Sequence, residues 1–440
     1  MKVLKFGGTS VGSAQRMKEV SNLILDGQKK IVVLSAMSGT TNTLVEISDY
    51  LYKRNPDAAN ETINKLELKY AGVVEELYST EEYKQKAMEL LQSHFDYLRG
   101  FTKNLFTLFE EKVILSQGEL MSTAMFTYFL NEQGVKAVLL PALEYMRVDK
   151  NGEPDSEYIR ENLIKQLALY PDADIFITQG FICLNAYGEV DNLQRGGSDY
   201  SASLVGAAVK AEEIQIWTDI DGMHNNDPRI VDKTSPVSHL HFEEAAELAY
   251  FGAKILHPTC ILPAKLANIP VRLLNTMQPQ AFGTLISNQT EKSKIKAVAA
   301  KDGITAIKIK SGRMLLAYGF LRKVFEIFES YQTPIDMVCT SEVGVSLSID
   351  KNKHLQEIID ELKKFGTVTV DTDMVIICVV GDLEWDNVGF ESRVLQAMKN
   401  VPVRMISYGG SNYNISMLVK SSDKKLAMQT LSDHLFNNKN

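Results

Sequence analysis

The sequence predicts an α/β fold: a three-layer αβα sandwich with a mostly parallel central sheet over residues 1–290, then two ferredoxin-like βαββαβ units. Three observations carry this. Short β-rich runs alternate with segments of helical spacing through the first half. At "NQTEKSKIKA" the texture turns polar and reads as a linker. Beyond it the chain repeats itself with a period of roughly 70 residues.

The elements follow in order. "KVLKF" and "KIVVLSAM" are strands ending in small residues, and "AQRMKEVSNLILDGQ" between them has helical spacing with a glycine near its end. "VKAVLLPAL", "DIFITQGFI", "EIQIWTDIDG" and "IPVRLLN" continue the β series, which predicts a sheet covered on both faces. Residues 55–115 are polar and rich in Glu, Lys and Leu, the composition of an inserted helical cap. In the tail, Gly319-Phe320 matches Gly389-Phe390, Ser341 matches Ser411, and Val345-Ser346-Leu347 matches Ile415-Ser416-Met417. Each copy reads turn, helix, strand, turn, strand. One small unit is expected to take residues 291–310 and 382–440, the other 311–381. Such a pair serves either to sense a ligand or to mediate dimerisation.

Composition narrows the function. A chain of 440 residues calls for two or three domains, and 45% apolar with 23% charged residues is globular and soluble. A net charge of −8 argues against a nucleic acid or an anionic membrane as partner. Cys183, Cys260, Cys339 and Cys378 are scattered, so neither a disulfide framework nor a thiolate metal site is expected. The start "MKVLKFGG" has no signal-peptide stretch and no run is long enough to span a membrane, which points to the cytoplasm.

Chemistry is expected where strands of an open α/β sheet end. "KFGGTS" puts Lys5 before Gly7 and Gly8; it is neither a Walker A loop nor a dinucleotide fingerprint, because the lysine precedes the glycines. "LSAMSGTTN" is dense in hydroxyls, including Ser35 and Thr41. "LSQGELMSTA" carries Glu119 at the start of a helix-like segment. "LQRGGSDYSA" sets Arg195, Gly196, Gly197, Ser198 and Asp199 at a helix N-terminus, which suits an anion. Taken singly, Asp199 could be only a helix-dipole partner, Glu119 a solvated residue and the hydroxyl loop a turn. Together they place one Lys, one Arg, one Glu and one Asp at strand ends.

In order, "KFGGTSVG", "LSAMSGTTN", "SQGELMST", "QRGGSDYSA", "WTDIDGMHNNDPRIV" and "GAKILHP" resemble the motifs of the aspartate kinase family. The resemblance covers nearly the whole chain, and the paired repeats look like that family's two regulatory ACT domains. It implies the amino acid kinase fold and transfer of the γ-phosphoryl of Mg-ATP to the β-carboxylate of L-aspartate. The acceptor is already an anion, so no general base is needed. The site must hold two repelling anions in line and offset the charge spread over the moving phosphoryl group.

By that resemblance Lys5 bridges the β- and γ-phosphates, Gly7 and Gly8 supply N–H donors, and Asp199 orients Lys5. Arg195 clamps a substrate carboxylate and Glu119 accepts from its ammonium, while Ser35, Thr41, Ser198 and the Gly196-Gly197 pair complete the pocket. Thr218, Asp219, His224, Arg229, Lys254 and Ile255 take nucleotide positions, His224 standing where relatives commonly have tyrosine. Mg²⁺ is expected to be held mainly by phosphates and water, with no protein metal site; His239-x-His241 reads as a surface or helix-start pair. Met314, Gly319, Phe320, Ile335, Ser341 and Glu342 fall on the family's effector positions, which implies an allosteric amino acid, most often L-lysine. A homodimer or dimer of dimers through the ACT units is implied, and a chain ending at Asn440 implies the monofunctional form. Two other classes stay open: a related kinase for another acid, and a non-catalytic amino-acid sensor.

Overall fold

The computed structural model describes residues 1–103, 105–193, 196–252, 256–311 and 318–437. They form two compact units, Met1–Met223 with Leu256–Asn288, and His224–Ile255 with Gln289–Asn440. In chain order the first unit begins with β1 (Lys2–Phe6), α1 (Ala14–Ile24), β2 (Lys30–Leu34) and the helices α2 (Thr40–Tyr52), α3 (Pro56–Leu77), α4 (Glu81–Gly100) and α5 (Leu108–Glu132). Next come β3 (Ala137–Leu140), α6 (Ser156–Ala168), β4 (Ile175–Gln179), β5 (Ile182–Leu184), β6 (Val190–Asn192), α7 (Gly197–Val209) and β7 (Ile214–Thr218). β8 (His239–His241) and α8 (Phe242–Tyr250) lie in the second unit, and α9 (Leu262–Leu266), β9 (Val271–Asn275) and β10 (Thr284–Ser287) in the first.

The sheet of the first unit runs β3-β4-β2-β1-β7-β9-β10, parallel throughout except for the antiparallel β9–β10 pair. Every residue of β2 is buried, as expected of a parallel strand covered on both faces. α1 starts where predicted, because the Ser13 side chain accepts from the Arg16 amide at 3.3 Å, and it buries Ala14, Met17, Val20 and Ile24 at helical spacing. Residues 55–115 are largely helical. They make α3, α4 and the first turns of α5, whose apolar faces (Ile63, Tyr70, Phe95) join one core with α1, α2 and the sheet. The Glu- and Lys-rich composition is simply the solvent side of amphipathic helices.

The second unit continues with β11 (Ile295–Lys310), α10 (Phe320–Ser330), β12 (Met337–Ser341), β13 (Gly344–Ile349), α11 (Leu355–Lys363) and β14 (Thr367–Gly381). α12 (Phe390–Ala397), β15 (Met405–Ser407), β16 (Asn414–Lys420) and α13 (Lys424–Ser432) complete it. Its antiparallel sheet has the order β12-β13-β11-β14-β16-β15. Each repeat gives the helix–strand–turn–strand order read from the sequence, and each has its own apolar cluster.

The sequence assigns residues 224–255 to the 1–290 region, but they group with the second unit. The Val298 amide donates to the Asn225 carbonyl at 2.9 Å, His241 stacks on Tyr413, and Asn414 donates to Glu247. Nor do the repeats part at residues 310/311. β11 and β14 are long strands shared by both: Thr305–Lys310 pairs with the first repeat's β13 and Ile295–Lys301 lies on the second repeat's side, with register shifts at Lys301/Ile304 and Ile304/Ala306.

Candidate active site

The carboxyl ends of β1, β2, β4 and β7 and the start of α7 gather most of the predicted residues of the first unit. Lys5 lies on β1 between Val33 and Ile216. Its Nζ stands 2.7 Å from Asp199 Oδ1, both side chains being largely buried, at 12% and 14% exposure. The approach is off the hydrogen-bond direction, so this is a charge contact more than a directed bond. Asp199 sits in the first turn of α7, where Gly196 is the N-cap and no side chain caps the helix. A carboxylate there gains from the helix dipole, and the open amides suit an anion.

The glycine turn after β1 is packed against the loop after β2. Ser35 N donates to Phe6 O at 3.2 Å and Ser38 N to Gly8 O at 3.1 Å. A Cβ on Gly8 would lie 2.9 Å from the Ala36 carbonyl, so only glycine lets the two loops meet. Ser35 Oγ donates to Ser198 Oγ at 3.0 Å, tying that loop to α7. Thr41 is half-buried in the first turn of α2. α3 holds the same loop from outside: Lys69 Nζ donates to Ser38 O at 2.6 Å, and the Tyr70 hydroxyl meets Thr40 Oγ1 at 3.0 Å.

Glu119 differs from the expectation. It lies in the middle of α5, not at a helix start, because the helix begins at a Thr107–Glu110 capping box. It is 3% exposed; Oε1 accepts from the Ala36 amide at 3.1 Å, and Oε2 has no hydrogen-bond partner among the described residues. Burial pushes its pKa up to about 8 against the pull of the Ala36 amide. Gly118 makes this approach possible, since a Cβ there would lie 2.7 Å from Ala36 Cβ.

Three residues of the cluster went unremarked in the sequence. Ser122 Oγ donates to Ser35 O at 2.8 Å, although the residue falls inside the quoted "SQGELMST". Gly180, just after β4, has Ser198 where a Cβ would be. Phe181 holds φ +70, a left-handed conformation that strains a non-glycine residue and tends to collect at functional sites. The "TQGF" turn at a strand end was the available signal.

The remaining residues are less gathered. Arg195, Lys254, Ile255 and Met314 lie outside the described residues. Thr218 ends β7 and donates to Asp219 Oδ1 at 3.1 Å. His224 and Arg229 belong to the second unit; His224 Nδ1 meets Thr234 Oγ1 at 3.0 Å, and Arg229 forms a two-point pair with Asp227. In the first repeat Gly319 is the N-cap of α10 and Phe320 is buried, Ile335 is half-buried before β12, and Ser341 and Glu342 are exposed at the β12–β13 turn. Ser311 N donates to Val343 O at 2.9 Å, which sets the end of β11 beside that turn. His241 caps α8, accepting from the Glu243 amide at 3.2 Å. Among the described residues no helix is long and apolar enough to cross a membrane.

A strand-end lysine paired with a helix-start aspartate, beside a buried glutamate, is a place for anions next to a place for an ammonium. The sequence model of the amino acid kinase family matches residues 1–275, and an ACT domain model matches residues 377–435. Fold and site therefore define an amino acid kinase with an ACT region. Lysine-sensitive aspartokinase 3 of Escherichia coli is 33% identical over 447 residues, which cover 99% of this chain and 99% of that protein. The crystal structure of E. coli aspartokinase III with aspartate and ADP superposes with a TM-score of 0.82 at 32% identity, covering 99% of this chain and 100% of that one. The same enzyme with lysine and aspartate gives 0.81 at 33%, covering 99% of each chain. The chain belongs to the aspartokinase family, ATP-dependent phosphotransferases with a carboxyl group as acceptor.

Proposed function

We propose that this chain phosphorylates the β-carboxylate of L-aspartate, giving 4-phospho-L-aspartate as the first step of lysine, threonine and methionine synthesis, in the cytoplasm. The observation that carries this is the Lys5–Asp199 pair set beside a buried Glu119 whose Oε2 lacks a partner. In the reaction a β-carboxylate oxygen forms the new bond to Pγ as the bond to the ADP oxygen breaks, and no proton moves. Lys5 follows the charge on the phosphoryl oxygens, and Asp199 keeps its ammonium aimed. Glu119 Oε2 receives the substrate ammonium, while Arg195, Ser35, Thr41 and Ser198 hold its carboxylates. Lysine, hydroxyl and amide donors suit phosphate oxygens better than a bare divalent cation, so Mg²⁺ would travel with the nucleotide, held by phosphates and water. Thr218 ends the strand next to β1, Asp219 follows it, and both are assigned to the nucleotide; His224, Arg229, Lys254 and Ile255 rest on the family resemblance alone.

The first repeat is assigned an inhibitory amino acid, L-lysine, with Glu342 taking its side-chain ammonium near Met314, Gly319, Phe320, Ile335 and Ser341. The lysine-bound E. coli structure and its 33% identity support this. Assembly as a homodimer or dimer of dimers is assigned to the ACT units. The test is ADP release from Mg-ATP with L-aspartate, with and without millimolar L-lysine. Release that needs aspartate and falls with lysine is expected. No aspartate-dependent release from folded protein would overturn the substrate, and release indifferent to lysine would overturn the effector.

A further inference from the structure

The strand that leads toward Arg195 stands apart from the main sheet. β5 and β6 form a separate two-stranded ribbon. Its first strand is anchored on the chain before α6: Leu184 N donates to Met146 O and Val148 N to Leu184 O, both at 2.8 Å. Among the described residues its second strand, β6, pairs with β5 alone. It runs on into Leu193, whose amide donates to Phe181 O at 2.7 Å. Arg195 follows two residues later in the sequence, and Gly196 is the N-cap of α7. The position of β6 therefore sets where the Arg195–Gly197 segment begins.

β6 is tied to α5 by charge. Lys112 Nζ stands 2.7 Å from Asp191 Oδ1, with 32% and 18% of the two side chains exposed. Asp191 lies opposite Cys183 in the ladder, and Cys183 is fully buried, so the pair occupies the inner side of the ribbon. Lys112 in turn precedes Glu119 by seven residues on one unbroken helix, two turns and about 10 Å along the same face. One helix thus carries the acceptor assigned to the substrate ammonium and grips the strand that leads to the residue assigned to a substrate carboxylate. An ion pair between elements already locked together adds little. Here one partner rides on a two-stranded ribbon, which has little stability of its own, so the pair acts on position.

We propose that Lys112 and Asp191 are positioning residues for the aspartate site: their ion pair holds β6 at the distance from α5 at which Glu119 and Arg195 engage one substrate molecule together. This rests on the aspartate reading given above. Neither side chain is assigned a contact with the substrate. Losing the pair weakens aspartate binding in the ground state and the transition state alike, so the loss falls on KM and spares kcat.

The experiment is steady-state kinetics on the full chain, with kcat and the KM values for aspartate and ATP measured separately. Lys112→Met and Asp191→Asn should each raise the KM for aspartate by at least about fivefold, with kcat and the KM for ATP within about twofold of wild type. Lys112→Arg keeps charge and reach, and should leave all three values within about twofold. The exchanged pair, Lys112→Asp with Asp191→Lys, should recover most of the KM lost in either of its single changes. Lys112 is partly exposed, so its variants keep the test open if Asp191→Asn fails to fold. An aspartate KM unmoved in Lys112→Met would overturn the proposal. So would an equal rise in both KM values, which marks general loosening, or an exchanged pair no better than its single members. A wild type without aspartate-dependent turnover would overturn the substrate reading and this inference with it. Normal wild-type turnover with unmoved variants would overturn this inference alone.

Discussion

The role proposed for Glu119 makes aspartate binding a proton-linked event. Its pKa stands at about 8 in the ligand-free fold because the carboxyl is buried with one oxygen unpartnered. A substrate ammonium placed on that oxygen favours the ionised form, so binding should expel a proton. If only the ionised form binds, the apparent affinity is reduced by about elevenfold at pH 7 and about a hundredfold at pH 6, relative to full ionisation. Near pH 7 roughly nine-tenths of a proton should leave per aspartate bound. Titrations in two buffers of different ionisation enthalpy read that number directly, and the KM for aspartate should fall with pH between 6 and 8 on the same curve. Glu119→Gln should weaken aspartate binding and abolish both the proton release and the slope. A wild-type KM that is flat across this range, with no proton released, would refute the argument. The sign for stability is opposite. Since the folded pKa lies above the ordinary glutamate value of 4.5, the free protein gains from protonation; that gain is complete below about 4.5 and lost as pH rises through about 8. Its melting temperature should therefore drop over the range where aspartate binds better.

The other predictions concern single side chains. Lys5→Ala or Asp199→Ala should lower kcat by at least about a hundredfold with the circular dichroism spectrum unchanged, since each acts on developing charge; near-normal turnover would remove them from their roles. Gly118→Ala puts a methyl where Ala36 Cβ is only 2.7 Å away. It should cost about 1–3 kcal/mol in denaturant unfolding and raise the KM for aspartate more than it lowers kcat. Glu342→Ala should leave uninhibited turnover intact and shift the lysine inhibition curve to higher concentration; an unmoved curve would exclude Glu342 from the effector pocket.

Much of this architecture was legible in advance. Parallel strands buried on both faces read as continuous apolar runs, and β2 is the clearest instance. The Lys5, Ser35 and Asp199 clusters were legible because strand ends are where loops may carry polar residues at all. The setting of Glu119 was not. α5 buries residues around its whole circumference, so it has no polar face to mark which side meets the site. The Thr107–Glu110 box was a local start signal that would have placed Glu119 mid-helix. The grouping of residues 224–255 was hidden for another reason. It depends on long-range contacts such as His241 on Tyr413, and no local pattern encodes them. Phe181 belongs with these, because its left-handed backbone comes from its surroundings and not from its own preference.

The strands Ile295–Lys310 and Thr367–Gly381 run through both repeats, and this makes the pair mechanically indivisible. Removing either copy would strip flanking partners from half of each strand and leave open ladder edges that recruit other chains. A single residue inserted near Lys301–Ile304 would turn one half of the strand inside out relative to the other. A graft of this tail onto another chain should therefore fold only when both repeats move together as one block.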